Sequence, residues 1–288
     1  MASNYRETSA PALGGDGVAG YQALLRVCNA DEGLDLPFFF DEAASMTDAE
    51  TTFSVWDDSI LVGFGHLPVD STPECCLMVL PNHRRQGVGT ALLAAVRQEL
   101  RRRGATDALL VADLGSASGR AFLSAAALPY RSSEFRLELD RTAIDRTRPP
   151  VAGLTMRVAE RPGAQTLVDI LGAAFGEDAA SARDLIERGL VERTRCFYLA
   201  YRHGMPVGML RAGEIEGFGD ITAFGVRPEC QGRGIGRQML IDVIDLLTAA
   251  GLQKITLEVA TENAKALGLY ESCGFRVASE YGFYALMG

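Results

Sequence analysis

The chain has 288 residues, 48% hydrophobic and 23% charged, and carries a formal net charge of −9. That length suits two domains of ordinary size, and the composition excludes the fibrous, low-complexity and disulfide-scaffold classes. The acidic balance argues against nucleic acid as a main partner and suits a cationic or amine substrate as well as it suits plain solubility.

Residues 1–17 are rich in Gly, Ala and Ser and read as loose. Positions 21–30 have helical spacing, and 51–56 with 60–67 read as a hairpin across Asp57-Asp58. A strand at 74–80 ends at Pro81, and 87–103 is a helix with Val88, Leu92, Leu93, Val96 and Leu100 on one face. Arg101, Arg102 and Arg103 fill its last turn before Gly104, where cations offset the helix dipole. A buried strand (108–112), a short helix (118–127) and a closing strand (135–139) follow. The segment 145–153, with Pro149-Pro150 inside it, is the linker candidate. Beyond it the order repeats. Strand 154–159 leads to helices 164–175 and 178–192, then to a hairpin of 196–201 with 206–215. Strand 220–226, helix 234–250, strand 254–260, helix 263–272 and closing strand material at 275–286 complete it.

The repeat is also written in particular residues. Gly87-Val88-Gly89 and Gly234-Ile235-Gly236 lie 147 positions apart, and the same offset pairs Val79 with Val226, Pro81 with Pro228 and Gly104 with Gly251. Val62-Gly63 and Val207-Gly208 are 145 apart, which predicts a two-residue insertion before Asp220 in the second copy. The expectation is an α+β protein of two tandem domains, 1–148 and 149–288. Each is a mixed, mostly antiparallel sheet flanked by helices, since strand–helix–strand segments need a parallel crossover.

Each Gly-x-Gly follows a strand and x-Pro and opens an amphipathic helix, a setting in which backbone N–H groups converge on one point and suit a phosphate. It is not a Walker loop, for no Gly-Lys-Ser/Thr is present, and Arg237 stands where a dinucleotide fingerprint needs its third Gly. In the second copy Gln231, Gly232, Arg233, Gly234, Ile235, Gly236 and Arg237 form the candidate cradle. In the first copy it is Arg84, Arg85, Gln86, Gly87, Val88, Gly89 and Thr90. The six cysteines (Cys28, Cys75, Cys76, Cys196, Cys230, Cys273) and the scattered His66, His83 and His203 have no metal-ligand spacing, so no metal is expected. The N-terminal stretch lacks the apolar core of a signal peptide and no run approaches the ~18 apolar residues of a membrane span, so a cytoplasmic protein with no membrane partner is expected.

The string Val226-Arg-Pro-Glu-Cys-Gln-Gly-Arg-Gly-Ile-Gly236 resembles the pyrophosphate-binding motif of the GNAT superfamily of acyl-CoA-dependent N-acyltransferases. Asn263-Ala-Lys-Ala-Leu-Gly-Leu-Tyr270-Glu-Ser-Cys-Gly-Phe275 resembles that superfamily's second cofactor motif. The tandem layout and the closing segment 276–285 are similar to mycothiol synthases, without implying their substrate: a Trp/His/Lys segment associated with that branch has no counterpart between Ala200 and Val226. The resemblance implies two GNAT-like domains and transfer of an acetyl group from acetyl-CoA to a primary amine of a small molecule. It implies that the main chain of Phe224, Gly225 and Val226 pairs with the cofactor's pantetheine arm and that an N–H there, that of Val226, polarises the thioester carbonyl. Asn263 would hydrogen-bond the cofactor and Tyr270 would return a proton to the departing thiolate. Glu214, Glu216 and Asp220 are the candidate bases for the amine, with Glu214 and Asp220 ahead. Tyr281, Phe283 and Tyr284 are candidate substrate contacts or core.

The first copy keeps the cradle, with Val79 in the place of Val226, but loses the acid: Tyr270 maps to Leu123 and Asn263 to Ser116. Leucine holds no transferable proton. The first domain therefore binds cofactor without turnover, serves as a cofactor-free structural half, or uses another donor. For the whole chain the alternatives to an N-acetyltransferase are a cofactor-binding sensor without catalysis and acetylation of an amino-sugar thiol.

Overall fold

A computed structural model describes residues 5–10, 15–34, 51–69, 72–176, 178–215 and 217–286. It divides into two units, Met1–Glu134 with Ser279–Gly288, and Phe135–Ala278. Among the described residues no helix is long and apolar enough to cross a membrane.

Unit 1 begins with strand β1 (Arg6–Ala10), where loose chain was expected, paired antiparallel to β2 (Thr52–Asp57). β1 is exposed along most of its length. Its pattern Arg-Glu-Thr-Ser-Ala has no apolar alternation, so ladder hydrogen bonds to β2 hold it rather than burial. Helix α1 (Gly15–Glu32) packs Tyr21, Leu24 and Cys28 on one face of the sheet, against Leu61 and Phe64. β2 and β3 (Ile60–His66) form the expected hairpin, β4 (Glu74–Val79) joins β3 antiparallel, and helix α2 (Val88–Arg103) buries Val88, Leu92, Leu93, Val96 and Leu100 on the opposite face. The last-turn arginines of α2 do more than offset its dipole, for Arg102 and Arg103 both bind the buried Glu99 carboxylate. Strand β5 (Leu109–Asp113) pairs parallel to β4, and helix α3 (Ala117–Ala125) covers it.

Strand β6 (Tyr130–Leu139) starts five residues before the expected strand and crosses from unit 1 to unit 2 at Glu134. Unit 2 holds β7 (Leu154–Val158), helices α4 (Ala164–Phe175) and α5 (Ala179–Val191), and the antiparallel run of β8 (Arg195–Arg202), β9 (Met205–Ile215) and β10 (Phe218–Val226). Helix α6 (Ile235–Ala249), strand β11 (Ile255–Ala260) and helix α7 (Ala264–Ser272) follow. α6 and α7 pack on one side of this sheet through Met239, Leu240, Val243 and Tyr270, and α4 and α5 pack on the other through Leu167, Ile170 and Ile186.

The last strand, β12 (Phe275–Ala285), starts in unit 2 and ends in unit 1. Its residues 281–285 lie antiparallel to β5 of unit 1, with Tyr281 opposite Asp113 and Ala285 opposite Leu109. Leu286 closes the unit 1 core beside Leu110 and Leu128. The units therefore divide at residues 134/135 and 278/279, whereas the sequence offset drew one boundary at 148/149. The reason is that a repeat offset marks equivalent positions, while the pairing of a closing strand depends on which sheet edge lies open. Tyr281 and Phe283 are accordingly buried in unit 1, and Tyr284 packs edge-on to Tyr130 at 5.6 Å. Removing residues 279–288 should expose β5 and loosen unit 1 while unit 2 keeps its sheet. Limited proteolysis should then cut first within 51–113; preferential cleavage within 195–260 would contradict the strand assignment.

Candidate active site

In unit 2, β10 pairs with β11 in parallel at Gly219–Ile255, Asp220–Thr256 and Ile221–Leu257, and that ladder then ends. β10 continues along β9 to Val226, with a bulge between Thr222 and Gly225. Ala223 and Phe224 together face one residue of β9, and Ala223 takes a left-handed φ of 46°. The sequence offset put a two-residue insertion before Asp220; one of its two residues is this bulge, after Asp220. The Arg227 N–H donates to Val207 O at 2.9 Å. Alternation along the strand turns the Val226 N–H to the other side, where β11 has ceased to pair.

The cradle lies directly beyond. Gly232 and Gly234 both have positive φ, 74° and 78°, a conformation that L side chains adopt only with strain. They bend the chain so that α6 starts with Gly234 as its N-cap and no side chain capping its free N–H groups. Gly236 serves close packing: a Cβ there would stand 3.2 Å from Leu269 and 3.3 Å from Phe224. Gln231 Nε2 donates to Val226 O at 3.0 Å, tying the loop back to the strand. Lys265 Nζ donates to Gln231 Oε1 at 2.5 Å, which adds a cation beside the loop. Sequence reasoning passes over Lys265 although it stands in the Asn263-Ala-Lys string; nothing local says that α7 presents it to the cradle. Exposed main chain at Gly232, Arg233 and Gly234, uncapped helix N–H groups and one cation fit a pyrophosphate.

Asn263 is the N-cap of α7, its Oδ1 accepting from the Ala266 N–H at 3.0 Å. Tyr270, two turns on, is 7% exposed, with its ring 6.0 Å from Phe224 and 6.3 Å from Phe275. Among the described residues its hydroxyl has no hydrogen-bond partner. Burial, and secondarily Cys273, push the phenol up to about 12. The geometry thus brings Val226, Phe224, the cradle and Tyr270 together.

Other expected residues lie elsewhere. Arg237, expected at the phosphates, is buried and faces the far end of α7: Nη1 donates to Ser272 O at 2.5 Å and to Ser272 Oγ at 2.9 Å, and Nη2 donates to Asp145 O. Asp220 accepts from Arg195 Nη1 at 2.9 Å, and Arg195 also binds Glu192 at 2.6 Å. Glu214 is exposed and faces Gly219, at the opposite end of the β9–β10 ladder from Val226, about 20 Å along the strand. Glu216 lies outside the described residues.

Unit 1 has the same cradle backbone without the rest. Arg85 and Gly87 hold φ of 61° and 90°, matching Gly232 and Gly234, and Arg84 Nε donates to Val79 O at 3.2 Å as Gln231 does to Val226 O. The β3–β4 register has no bulge. Val88 is buried, while Thr90 is exposed on the first turn of α2 and Gln86 accepts from the Tyr5 hydroxyl at 2.9 Å. Gly89 makes room for Phe122. The end of α1 supplies carboxylates of its own. Asp31 accepts from Arg84 at 2.8 Å, and Glu32 accepts from the Ser118 N–H at 2.9 Å and the Ser116 hydroxyl at 2.5 Å. Burial works against the Glu32 charge, but the hydrogen bonds from Ser116 and Ser118, with Arg84 nearby, hold its carboxyl below the ordinary range. Leu123 is buried where unit 2 has Tyr270.

These features define an acyltransferase fold, and comparison with known proteins agrees. Residues 164–275 match the Acetyltransferase (GNAT) family model and residues 48–136 an Acetyltransferase (GNAT) domain model. The chain belongs to the GNAT family of acetyltransferases, as a tandem member, and members of that family use acetyl-CoA as co-substrate. Among its relatives is the mycothiol acetyltransferase of Clavibacter michiganensis subsp. michiganensis, 32% identical over 228 residues, 73% of this chain and 71% of that one. That of Kineococcus radiotolerans is 30% identical over 80% and 79% of the two chains. In fold the chain is similar to a GCN5-related N-acetyltransferase from Sphaerobacter thermophilus, with TM-score 0.77, 19% identity and coverage of 99% and 96%. It is similar also to a tandem GNAT protein from the clavulanic acid biosynthesis pathway, with TM-score 0.73, 17% identity and coverage of 98% of each chain.

The raised phenol has a consequence for stability. Below the ordinary tyrosine value near 10 the folded and unfolded chains both hold the proton, so Tyr270 adds no pH dependence. Between about 10 and 12 only the unfolded chain ionises, and stability falls by up to about 3 kcal/mol. Denaturant unfolding at pH 9 and at pH 11.5 should show a larger loss for the natural protein than for Tyr270→Phe; equal losses would contradict the burial of the hydroxyl.

Proposed function

We propose that this protein is an acetyl-CoA-dependent N-acetyltransferase whose chemistry resides in unit 2. The observation that carries the reading is the buried Tyr270 phenol, next to Phe224 and the unpaired side of β10. Bound acetyl-CoA supplies the thioester that an amine attacks. Gln231, Gly232, Arg233, Gly234, Ile235 and Gly236 hold the pyrophosphate through main-chain N–H groups, with Lys265 adding charge. The Val226 N–H stabilises negative charge on the carbonyl oxygen. Tyr270, protonated across the physiological range, donates to the departing sulfur in a site dry enough to raise the thiolate's own affinity for the proton.

The acceptor is a small-molecule primary amine. Asp220 is tied to Arg195 and Glu214 lies far along the ladder, which favours an amine that needs no strong base. An α-amino group, with its ordinary value near 7.7–8.0, loses a proton far more readily than a lysine side chain near 10.4. The mycothiol acetyltransferase relatives make an amino-sugar thiol with a free amine the first acceptor to test. Unit 1 acts as a cofactor-free partner, because Arg84 in its cradle is already paired with Asp31 and Leu123 stands where unit 2 has Tyr270.

Tyr270→Phe should lower kcat by about 100-fold while acetyl-CoA binding survives. Thiol release measured with an amine panel and product mass checks this, and unchanged turnover would remove Tyr270 from the mechanism. Acetyl-CoA titrated by calorimetry should bind once per chain; two sites would overturn the cofactor-free reading of unit 1. Leu123→Ala should cost stability, about 2–5 kcal/mol, and leave turnover by the folded enzyme within a few-fold.

A further inference from the structure

Arg237 is a charged side chain 8% exposed, in the first turn of the cradle helix α6, and it reaches across to the end of α7. Nη1 donates to the Ser272 carbonyl at 2.5 Å, the Ser272 hydroxyl at 2.9 Å and Cys273 Sγ at 3.6 Å. Nη2 donates to the Asp145 carbonyl, and the Asp145 carboxylate lies 3.6 Å away. One planar guanidinium thus ties three segments together: the helix that starts at the cradle, the helix that carries Tyr270, and the chain leading from β6 to β7. Ser272 is two residues from Tyr270, and its carbonyl belongs to the last turn of a helix of only nine residues. Last-turn carbonyls have no partner within the helix and otherwise turn to solvent. A buried guanidinium can hold them because its donors are fixed in a plane and fork to two sides at once, which an ammonium cannot do.

The comparison within the chain supports a role tied to the acid rather than to the fold. At the same offset, unit 1 has Thr90 for Arg237 and Leu123 for Tyr270. Thr90 is exposed on the first turn of α2. Among the described residues helix α3, which ends in Ala125, has no such tie between helices, yet it has the same nine residues and the same kind of side-chain N-cap. The fold tolerates loss of the guanidinium where there is no hydroxyl to aim.

We infer that Arg237 is a positioning residue for transfer, fixing the end of α7 so that the Tyr270 hydroxyl stays aimed at the sulfur between β10 and β11. This rests on Tyr270 being the acid, and the test separates the two claims. Arg237→Gln and Arg237→Lys are made alone and together with Tyr270→Phe, with Arg146→Gln, at an exposed ion pair with Asp245, as the surface control. Thiol release from acetyl-CoA is followed with the amine that the panel selects, and acetyl-CoA binding is followed by calorimetry. For Arg237→Gln turnover should drop about 10-fold or more and for Arg237→Lys by less, with an acetyl-CoA Kd within about threefold of the natural protein's. In the Tyr270→Phe background Arg237→Gln should change turnover less than about twofold, since the two residues act as one. An absorbance titration of the tyrosines should show the buried, high-pH phenol moving toward the ordinary value in Arg237→Gln, a change that general destabilisation checked by melting would not produce in the folded state. Independent, multiplicative losses in the double variant, or a loss confined to acetyl-CoA affinity, would overturn the positioning role. A silent Tyr270→Phe would instead overturn the acid assignment.

Discussion

A buried N–H or C=O without a partner costs about 1–3 kcal/mol, so a sheet normally pairs its interior strands along their whole length. β10 departs from this rule: its first half has β11 beside it and its second half does not. The bulge at Ala223 and Phe224 marks the change, since the extra residue bends the strand away just where the parallel ladder ends. What remains is an edge inside the sheet, with the Val226 N–H turned toward it and the carbonyl of Val226 held by Gln231. An extended ligand with alternating amide groups can supply the missing ladder. The cradle lies at the end of that edge because β10 runs straight into the loop that opens α6.

The other parts of the site follow from the elements packed against that edge. α7 is short, and it reaches the edge with Tyr270 because Gly236 lets Leu269 approach α6 closely. The phenol sits between Phe224 and Phe275, apolar neighbours that exclude water and raise its affinity for the proton. A more polar pocket would solvate the phenolate and lower that affinity. Dryness here is thus a chemical property, for it keeps the phenol neutral across the physiological range.

Much of this is legible from residues alone, for identifiable reasons. The cradle can be read because Gly-x-Gly after x-Pro acts through local backbone geometry, and local geometry is written in adjacent residues. Hairpins and helices emerge from period-two and helical apolar spacing. β1 escapes such a reading because an edge strand with polar residues on both faces carries no period. Arg237 goes to a different place from the one its position suggests, because a basic residue next to a phosphate loop has two directions open to it. Only the position of Ser272, 35 residues on, decides between them. The fate of residues 281–285 is illegible for the same reason on a larger scale, as their partner β5 is some 170 residues earlier in the chain.

The two units show what separates a scaffold from a site built on it. In unit 1 the cradle residue Arg84 is satisfied from within by Asp31 and Val79 O, and the N-terminus of α3, the counterpart of α7, by Glu32 and Ser116. The Arg84–Asp31 pair must be broken before that guanidinium can bind an external phosphate, which lowers its affinity for one. The open backbone is common to both units, for neither α2 nor α6 has a side-chain N-cap and β4, like β10, meets its parallel neighbour only over its first residues, while the Tyr270 hydroxyl, unbonded among the described residues, belongs to unit 2. Polar groups left open in this way cost stability in the free protein. What unit 2 has and unit 1 lacks is a hydroxyl at this place, Tyr270 where unit 1 carries Leu123, and that difference is the physical reason to look for chemistry in unit 2 first.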